Sequence, residues 1–228
     1  MHGRTTAGRW ARATNATGAG LVLLTLHALV SLALAGAPFA ALTVTPAGRQ
    51  TFDISTGVTT LPDGGTITDQ ETGVTLKAAA ITYLDGVYID ASAVSVAGSF
   101  GSVVADAVRI DLVEGVLTAE GSLALERDGL TVTAGTLRYD ALMQVAVFDG
   151  GVTGTQPGFE TDRLLLDART GDVLLDGHYR YQGELFTMSS PEEGGRLELR
   201  FQLIDGHASY DAATEVRPDL LERFAAFL

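Results

Sequence analysis

The chain has 228 residues, is 46% hydrophobic and 19% charged, and contains 27 glycines and no cysteine. This composition is typical of one large or two small domains built from many short strands and tight turns, and it excludes disulfides, thiolate metal sites and a lipidated cysteine. The formal net charge of −13 disfavours contact with nucleic acid or an anionic membrane surface.

The N-terminal residues 1–35 have the features of an export signal. Three arginines precede an apolar run over residues 20–35, which ends in the small residues Ala33 and Ala35. This pattern predicts cleavage after Ala35. An uncleaved anchor in the inner membrane is the alternative, because the apolar character persists to Val44 and about 20 such residues span a bilayer. The basic N-terminus stays inside in either case, so the rest of the chain is predicted to lie in the periplasm or cell envelope.

A repeat of nearly 29 residues occupies the middle of the chain. The 17-residue windows 105–121, 134–150 and 161–177 align without gaps, with starts 29 and 27 residues apart. The windows share an aspartate at one position and an acid-Gly pair at their ends. The shared residues are Asp111, Asp140 and Asp167, and Gly121, Gly150 and Gly177. Such self-similarity indicates stacked copies of one small structural unit.

Each window predicts a β-hairpin. Apolar and polar residues alternate before the shared aspartate, which indicates a strand with one apolar face. A turn follows that aspartate, and the acid-Gly pair is predicted to form the turn into the next hairpin. In each second strand both sets of alternate residues are apolar, and we favour Leu117/Ala119, Ala146/Phe148 and Val173/Leu175 as inward-facing.

The C-terminal residues 213–228 change character. Pro218 suits the first turn of a helix, and Leu220, Leu221 and Phe224 follow at helical spacing. We therefore predict a short helix that covers an open end of the sheet, with a membrane or partner contact as the alternative.

No motif for a catalytic nucleophile, a phosphate loop or paired metal ligands is present in the sequence. His178 and His207 occupy equivalent positions after Asp-Gly pairs, and we interpret both as residues that begin strands rather than metal ligands. The acidity is better explained by solubility than by calcium sites, since no segment fits an EF-hand loop. We expect no enzyme activity, no metal and no cofactor.

The segments TDRLLLDARTGDVLLDG (161–177) and AGTLRYDALMQVAVFDGGVTG (134–154) resemble the periplasmic OstA-like family, which includes LptA, LptC and the N-terminal domain of LptD. That family repeats apolar-x-apolar-x-Asp, then x-x-Gly-x-apolar, then a polar or acidic residue before Gly. The resemblance covers about residues 75–185. A Gly-Gly-Val stands here where the family often has Gly-Asn-Val.

The resemblance implies an all-β fold, an elongated antiparallel β-jellyroll of repeated hairpins over residues 42–212, flanked by the N-terminal hydrophobic helix and the short C-terminal helix. Its apolar groove would carry the acyl chains of lipopolysaccharide or a related acylated envelope lipid between membranes, and its edge strands would pair with other β-jellyroll envelope proteins. The groove-lining residues carried over are Val108, Ile110, Leu137, Tyr139, Leu164, Leu166, Val173 and Leu175. The alternative is a structural or interaction β-repeat protein whose core is filled.

Overall fold

The computed structural model describes Phe39 and residues 42–70, 73–98, 100–183, 186–205 and 207–228, all of which belong to the compact unit 36–228. The predicted export segment, residues 1–35, lies outside the described residues. Among the helices that are described, none is both long and apolar enough to cross a membrane.

The described residues form fifteen strands and one short helix. The strands are β1 (Leu42–Pro46), β2 (Thr51–Phe52), β3 (Val58–Leu61), β4 (Gly65–Asp69), β5 (Thr75–Leu84), β6 (Tyr88–Gly98), β7 (Gly101–Asp111), β8 (Val116–Arg127), β9 (Leu130–Asp140), β10 (Val145–Thr155), β11 (Gly158–Asp167), β12 (Val173–Gln182), β13 (Thr187–Ser189), β14 (Gly195–Ile204) and β15 (His207–Ala213), and the helix is α1 (Pro218–Phe224).

All strands belong to one antiparallel sheet whose main path runs β1-β4-β5, through β6 to β12 in chain order, and then to β14 and β15. Toward the two ends of this path the sheet divides. One half of β5 pairs with β4 and the other with β3, and the two halves of β12 pair with β14 and β13. The predicted all-β jellyroll with a short C-terminal helix is therefore confirmed, while the N-terminal helix of that prediction lies outside the described residues.

The shared aspartates form turns, as predicted. The Asp111 carboxylate accepts hydrogen bonds from the backbone N–H groups of Val113 and Glu114, at 3.0 and 2.9 Å. Asp140 and Asp167 cap the next two equivalent turns in the same way. A carboxylate that binds the backbone two or three residues ahead favours a tight turn, so these positions set the hairpins β7–β8, β9–β10 and β11–β12.

The acid-Gly pairs do not form turns, and that prediction is wrong. Gly121, Gly150 and Gly177 lie in the middle of β8, β10 and β12, where their φ angles are +73°, +85° and +91°. All five strand pairs from β7–β8 to β11–β12 shift register in this region. A positive-φ glycine suits a β-bulge as well as a turn, and a bulge bends the strand without ending it.

The bulges lie in one line across the sheet, and close contacts require glycine there. A Cβ on Gly121 would lie 2.4 Å from Oδ2 of Asp106 on β7, and a Cβ on Gly177 would lie 2.7 Å from Oδ2 of Asp162 on β11. Since each strand bends on this line, the sheet folds over, and its two halves face each other with the same apolar face inside.

We expect Gly121→Ala to destabilise the protein more than Gly129→Ala does. Both glycines have positive φ, but nothing lies within 4 Å of a Cβ built on Gly129. The left-handed conformation costs each alanine about 1–2 kcal/mol, and overpacking against Asp106 adds about 1–3 kcal/mol at Gly121. Urea denaturation of both variants measures the difference, and equal losses of stability would contradict a sterically closed bulge.

A second apolar cluster lies outside the folded sheet. The outward-facing Val147, Leu165 and Leu174 pack against Leu220 and Phe224 of α1. The helix therefore covers the outer face of β10–β12, which lie within the sheet, and the prediction that it covers an open end is wrong. This second layer explains why both sets of alternate residues are apolar in these strands.

Ion pairs fix α1 and its flanking residue to the sheet. Arg217 Nε lies 2.5 Å from the fully buried Glu198 Oε1, and its Nη2 lies 2.6 Å from Asp172 Oδ2. Arg223 Nε lies 2.9 Å from Asp167 Oδ2. Burial on its own raises the pKa of Asp167, but hydrogen bonds from Arg169 and Arg223 outweigh it and lower the pKa to about 2.

This lowered pKa predicts a loss of stability in acid. The contribution of Asp167 is complete above the ordinary carboxyl pKa of 3.8 and disappears as the pH falls through about 2. We expect Arg223→Gln to cost about 1–3 kcal/mol at neutral pH and to flatten the dependence of stability on pH between these values. Denaturation curves over this range test it, with exposed Arg138→Gln as control. An unchanged pH dependence in Arg223→Gln would contradict the ion pair.

Candidate functional site

Two rows of apolar side chains cross the inside of the sheet from β7 to β12 and on to β14. Within each row, neighbours are directly paired across adjacent strands, and all members belong to the inner core. The first row is Val108, Ala119, Leu137, Phe148, Leu164, Leu175 and Leu197, and the second is Ile110, Leu117, Tyr139, Ala146, Leu166, Val173 and Leu199. We call them the inner rows.

The structure places all eight sequence-predicted groove residues in the inner rows. The most exposed of the eight is Tyr139, at 8%. The residues favoured as inward-facing in the second strands of the hairpins lie there as well. These positions are thus brought together on one face, while a role in lining a lipid groove stays a prediction.

Sequence reasoning missed the inner residues beyond the bulges. These residues include Leu123, Leu125, Val132, Phe159, Tyr179 and Tyr181. A signal for them exists, since apolar and polar residues alternate on both sides of each bulge. In β8 the same odd-numbered positions stay inside, from Leu117 to Leu125. In β7 the inward positions change from odd, at Val103, to even, at Val108. The register shift places residues 121–123 of β8 opposite residues 105–106 of β7, and the change from odd to even positions occurs in β7, opposite the bulged strand.

The two halves of the folded sheet meet in a closed core between β6 and β11. Val103 and Leu125 from one half face Leu117 and Phe148 from the other around a cavity of about 10 Å³. A volume of this size is about that needed for one water molecule. The interior is therefore packed shut along this stretch and leaves no space for an acyl chain in this conformation.

Among the described residues, one polar and one aromatic contact add to the apolar packing where the two free margins of the folded sheet meet, along a line that we call the seam. The Arg127 guanidinium at the end of β8 donates to the backbone carbonyl of Ala168, just after β11, at 3.0 Å. The rings of Phe100 and Tyr139 lie 5.2 Å apart. Burial raises the pKa of the Tyr139 hydroxyl. One polar hydrogen bond and one aromatic contact can separate without breaking the hydrogen bonds of the strand ladders.

His178 lies in the middle of β12, beside the bulge, so its interpretation as a residue that begins a strand is wrong, whereas His207 does begin β15. The exposed His178 ring contacts Asp162 Oδ2 through Nδ1 at 2.7 Å and the Glu192 carbonyl through Nε2 at 3.0 Å. The bond to Asp162 raises the pKa of His178. No group of three or more His, Cys, Asp or Glu side chains in the described part of the chain could hold a metal ion.

The fold and the interior define a class of protein, an open antiparallel β-jellyroll folded over one apolar core. The chain is similar to the solved structure of LptH from Pseudomonas aeruginosa, described as the LptA-homologous periplasmic component of the conserved lipopolysaccharide transport device. The TM-score is 0.44 at 12% identity, and the match covers 50% of this chain and 85% of LptH. No family model matches the sequence, and no curated protein matches it.

Proposed function

We propose that this chain is a non-enzymatic envelope protein that binds the acyl chains of lipopolysaccharide or a related lipid in its apolar interior and passes the lipid between membranes. The inner rows carry this proposal, since fourteen consecutive cross-strand positions on seven strands hold apolar or aromatic side chains. A continuous apolar surface that crosses seven strands matches an extended hydrocarbon chain better than a compact ligand.

Binding requires the seam to open. Apolar contacts are non-directional, so methylene groups of a lipid can replace the contacts that the two halves make with each other. Each buried methylene contributes about 0.8 kcal/mol, and a chain of about 14 carbons therefore contributes on the order of 10 kcal/mol. The hydrogen bond at Arg127 and the ring contact at Phe100 are small beside that energy, and the larger cost of opening is the apolar packing between the two halves, which the lipid replaces.

The proposed place of action is the periplasm or cell envelope, supported by the sequence features of an export signal in residues 1–35, with attachment to the inner membrane if that segment is not cleaved. The proposed protein partners are other β-jellyroll proteins. The end strand β15 is seven residues long, whereas β1 at the other end is shorter and terminates in Pro46. An unprotected edge strand can receive a strand from another chain, and proline disfavours pairing.

A filled structural core is the second candidate, and the cavity of about 10 Å³ favours it. In that case the inner rows only stabilise the fold, and the protein acts through its surface or its edges. The two candidates differ in whether the interior admits a lipid in solution.

Lipid binding is tested with the purified chain. We expect mass spectrometry after mild purification to detect co-isolated acylated lipid, and we expect a fatty acid with a mid-chain diazirine to crosslink on illumination to residues of the inner rows. Peptide mapping locates the crosslinks. Lipid-free protein that also fails to crosslink with the added fatty acid, or that crosslinks only on its outer surface, would favour the filled core and reject the carrier.

A charge on the inner face should be far more damaging than one outside. We expect Ile110→Asp and Leu166→Asp to destabilise the fold by about 3 kcal/mol or more, or to abolish lipid uptake, because each buries an unpaired carboxylate. Leu142→Asp, in a turn where the leucine is 73% exposed, should change stability by less than about 0.5 kcal/mol. Thermal unfolding and the diazirine assay measure both. Wild-type behaviour of Ile110→Asp and Leu166→Asp would mean that the faces are wrongly assigned.

A further inference from the structure

A cleft opens at the C-terminal end of the folded sheet. It has a volume of about 980 Å³ and lies between the β10–β11 turn, the end of β12 and the last strand, β15. The two halves of the folded sheet are in contact between β6 and β11. Beyond β12 each half continues with a different strand, since β12 pairs with β14 in one half and with β13 in the other. The volume is at the upper end of the range of small-molecule sites, about 300–1,000 Å³.

The floor of this cleft is aromatic and continues the inner core. Tyr181 belongs to the inner core, and Tyr210 and Ala212 pack against it. The rings of Tyr181 and Phe186 lie 6.1 Å apart, and Phe186 is 51% exposed in the cleft wall. Because this floor joins the inner core, the cleft is an opening at which a chain bound in the interior could present its head group to solvent.

The charge of the cleft disfavours an anionic head group. Among the described residues that line it, Asp211 is the one charged side chain, and Gln156, Gln182 and Ser209 supply uncharged hydrogen-bonding groups. Phosphate and carboxylate groups are usually held by arginine or lysine, and the net charge of −13 adds a long-range repulsion.

The Tyr210 hydroxyl indicates that the head group supplies a hydrogen-bond acceptor. Its oxygen is buried and has no hydrogen-bond partner among the described residues. Burial raises the pKa of Tyr210 to about 12, so the group stays a neutral hydroxyl that can donate a hydrogen bond. A buried donor without a partner is costly, and an ester carbonyl or hydroxyl oxygen of a ligand would satisfy it.

We propose that this cleft binds the head group of the acylated lipid and selects an uncharged, hydroxyl- or ester-bearing head group over an anionic one, with the Tyr210 hydroxyl as its hydrogen-bond donor. This inference rests on the proposed function and narrows its ligand from lipopolysaccharide or a related lipid to a related lipid with an uncharged head group. It makes the cleft the place where lipids with the same chain are distinguished.

Two lipids that share one oleoyl chain test this selectivity. Monoolein has a glycerol head group, and oleoyl-lysophosphatidate adds a phosphate to it. We expect native mass spectrometry of the full-length chain, with each lipid below its micellar concentration, to give at least about tenfold tighter binding for monoolein. Equal or tighter binding of the phosphate lipid would overturn the head-group inference and leave the proposed function standing. Binding of neither lipid, together with no crosslinking of the diazirine fatty acid to the inner rows, would reject the proposed function itself.

Two variants assign the effect to the cleft. Tyr210→Phe removes one oxygen atom and should weaken monoolein binding by about 2- to 10-fold, the value of one neutral hydrogen bond, while the unliganded protein keeps or gains thermal stability. Asp211→Lys should strengthen binding of oleoyl-lysophosphatidate by about fivefold or more and so reduce or reverse the preference for monoolein. Wild-type affinities for both lipids in both variants would place the head group elsewhere.

Discussion

The line of bulges across β7–β12 is the constraint on which the rest of the structure depends. A strand keeps apolar side chains inside on both sides of the bend only if its inward positions are set anew or preserved there, and neighbouring strands can stay paired only if they bend at the same level. Glycine at 121, 150 and 177 meets the first requirement with a positive φ, and close contacts with neighbouring strands leave no space for a larger residue at 121 and 177. One apolar face thereby becomes the two walls of a single interior.

The hairpin turns and half of the interior could be predicted from the sequence, because they depend on local chemistry. A carboxylate such as Asp111 can close a turn wherever it occurs, and alternation before it identifies the inward side chains. The other half could not be predicted in the same way. Glycine after an acid has the same signature in a turn and in a bulge, and the reversal of faces in β7 becomes visible only once the bulge is known.

The position of α1 on the sheet could not be predicted from the sequence either. Its apolar residues indicate a helix with one buried face, yet nothing local says which surface receives it. The receiving surface is encoded in β10–β12, where Val147, Leu165 and Leu174 add a second apolar face. The pairing of Arg217 with Glu198 and Asp172, far apart in the chain, depends on the completed fold.

The packed interior and the proposed lipid compete for the same surface. Each inner side chain that stabilises the closed form makes contacts that an acyl chain would otherwise make. A carrier therefore needs an apolar core whose two halves are held together by few specific contacts. The seam has this character, since Arg127 contributes one hydrogen bond to a backbone carbonyl. A closed core in the absence of ligand also protects the inner rows from water and from aggregation.

The one-sided cover that α1 provides gives the sheet an uneven resistance to local opening. The segments of β10–β12 next to α1, residues 145–148, 164–167 and 173–175, are buried on both faces, whereas Arg109, Thr118 and Arg138 leave the outer face of β7–β9 in solvent. Backbone amides should therefore exchange with deuterium most slowly in β10–β12 and faster toward β5, because fewer buried contacts oppose unfolding there. Local opening of the interior would therefore start at the N-terminal end of the sheet, while the strands next to α1 stay in place.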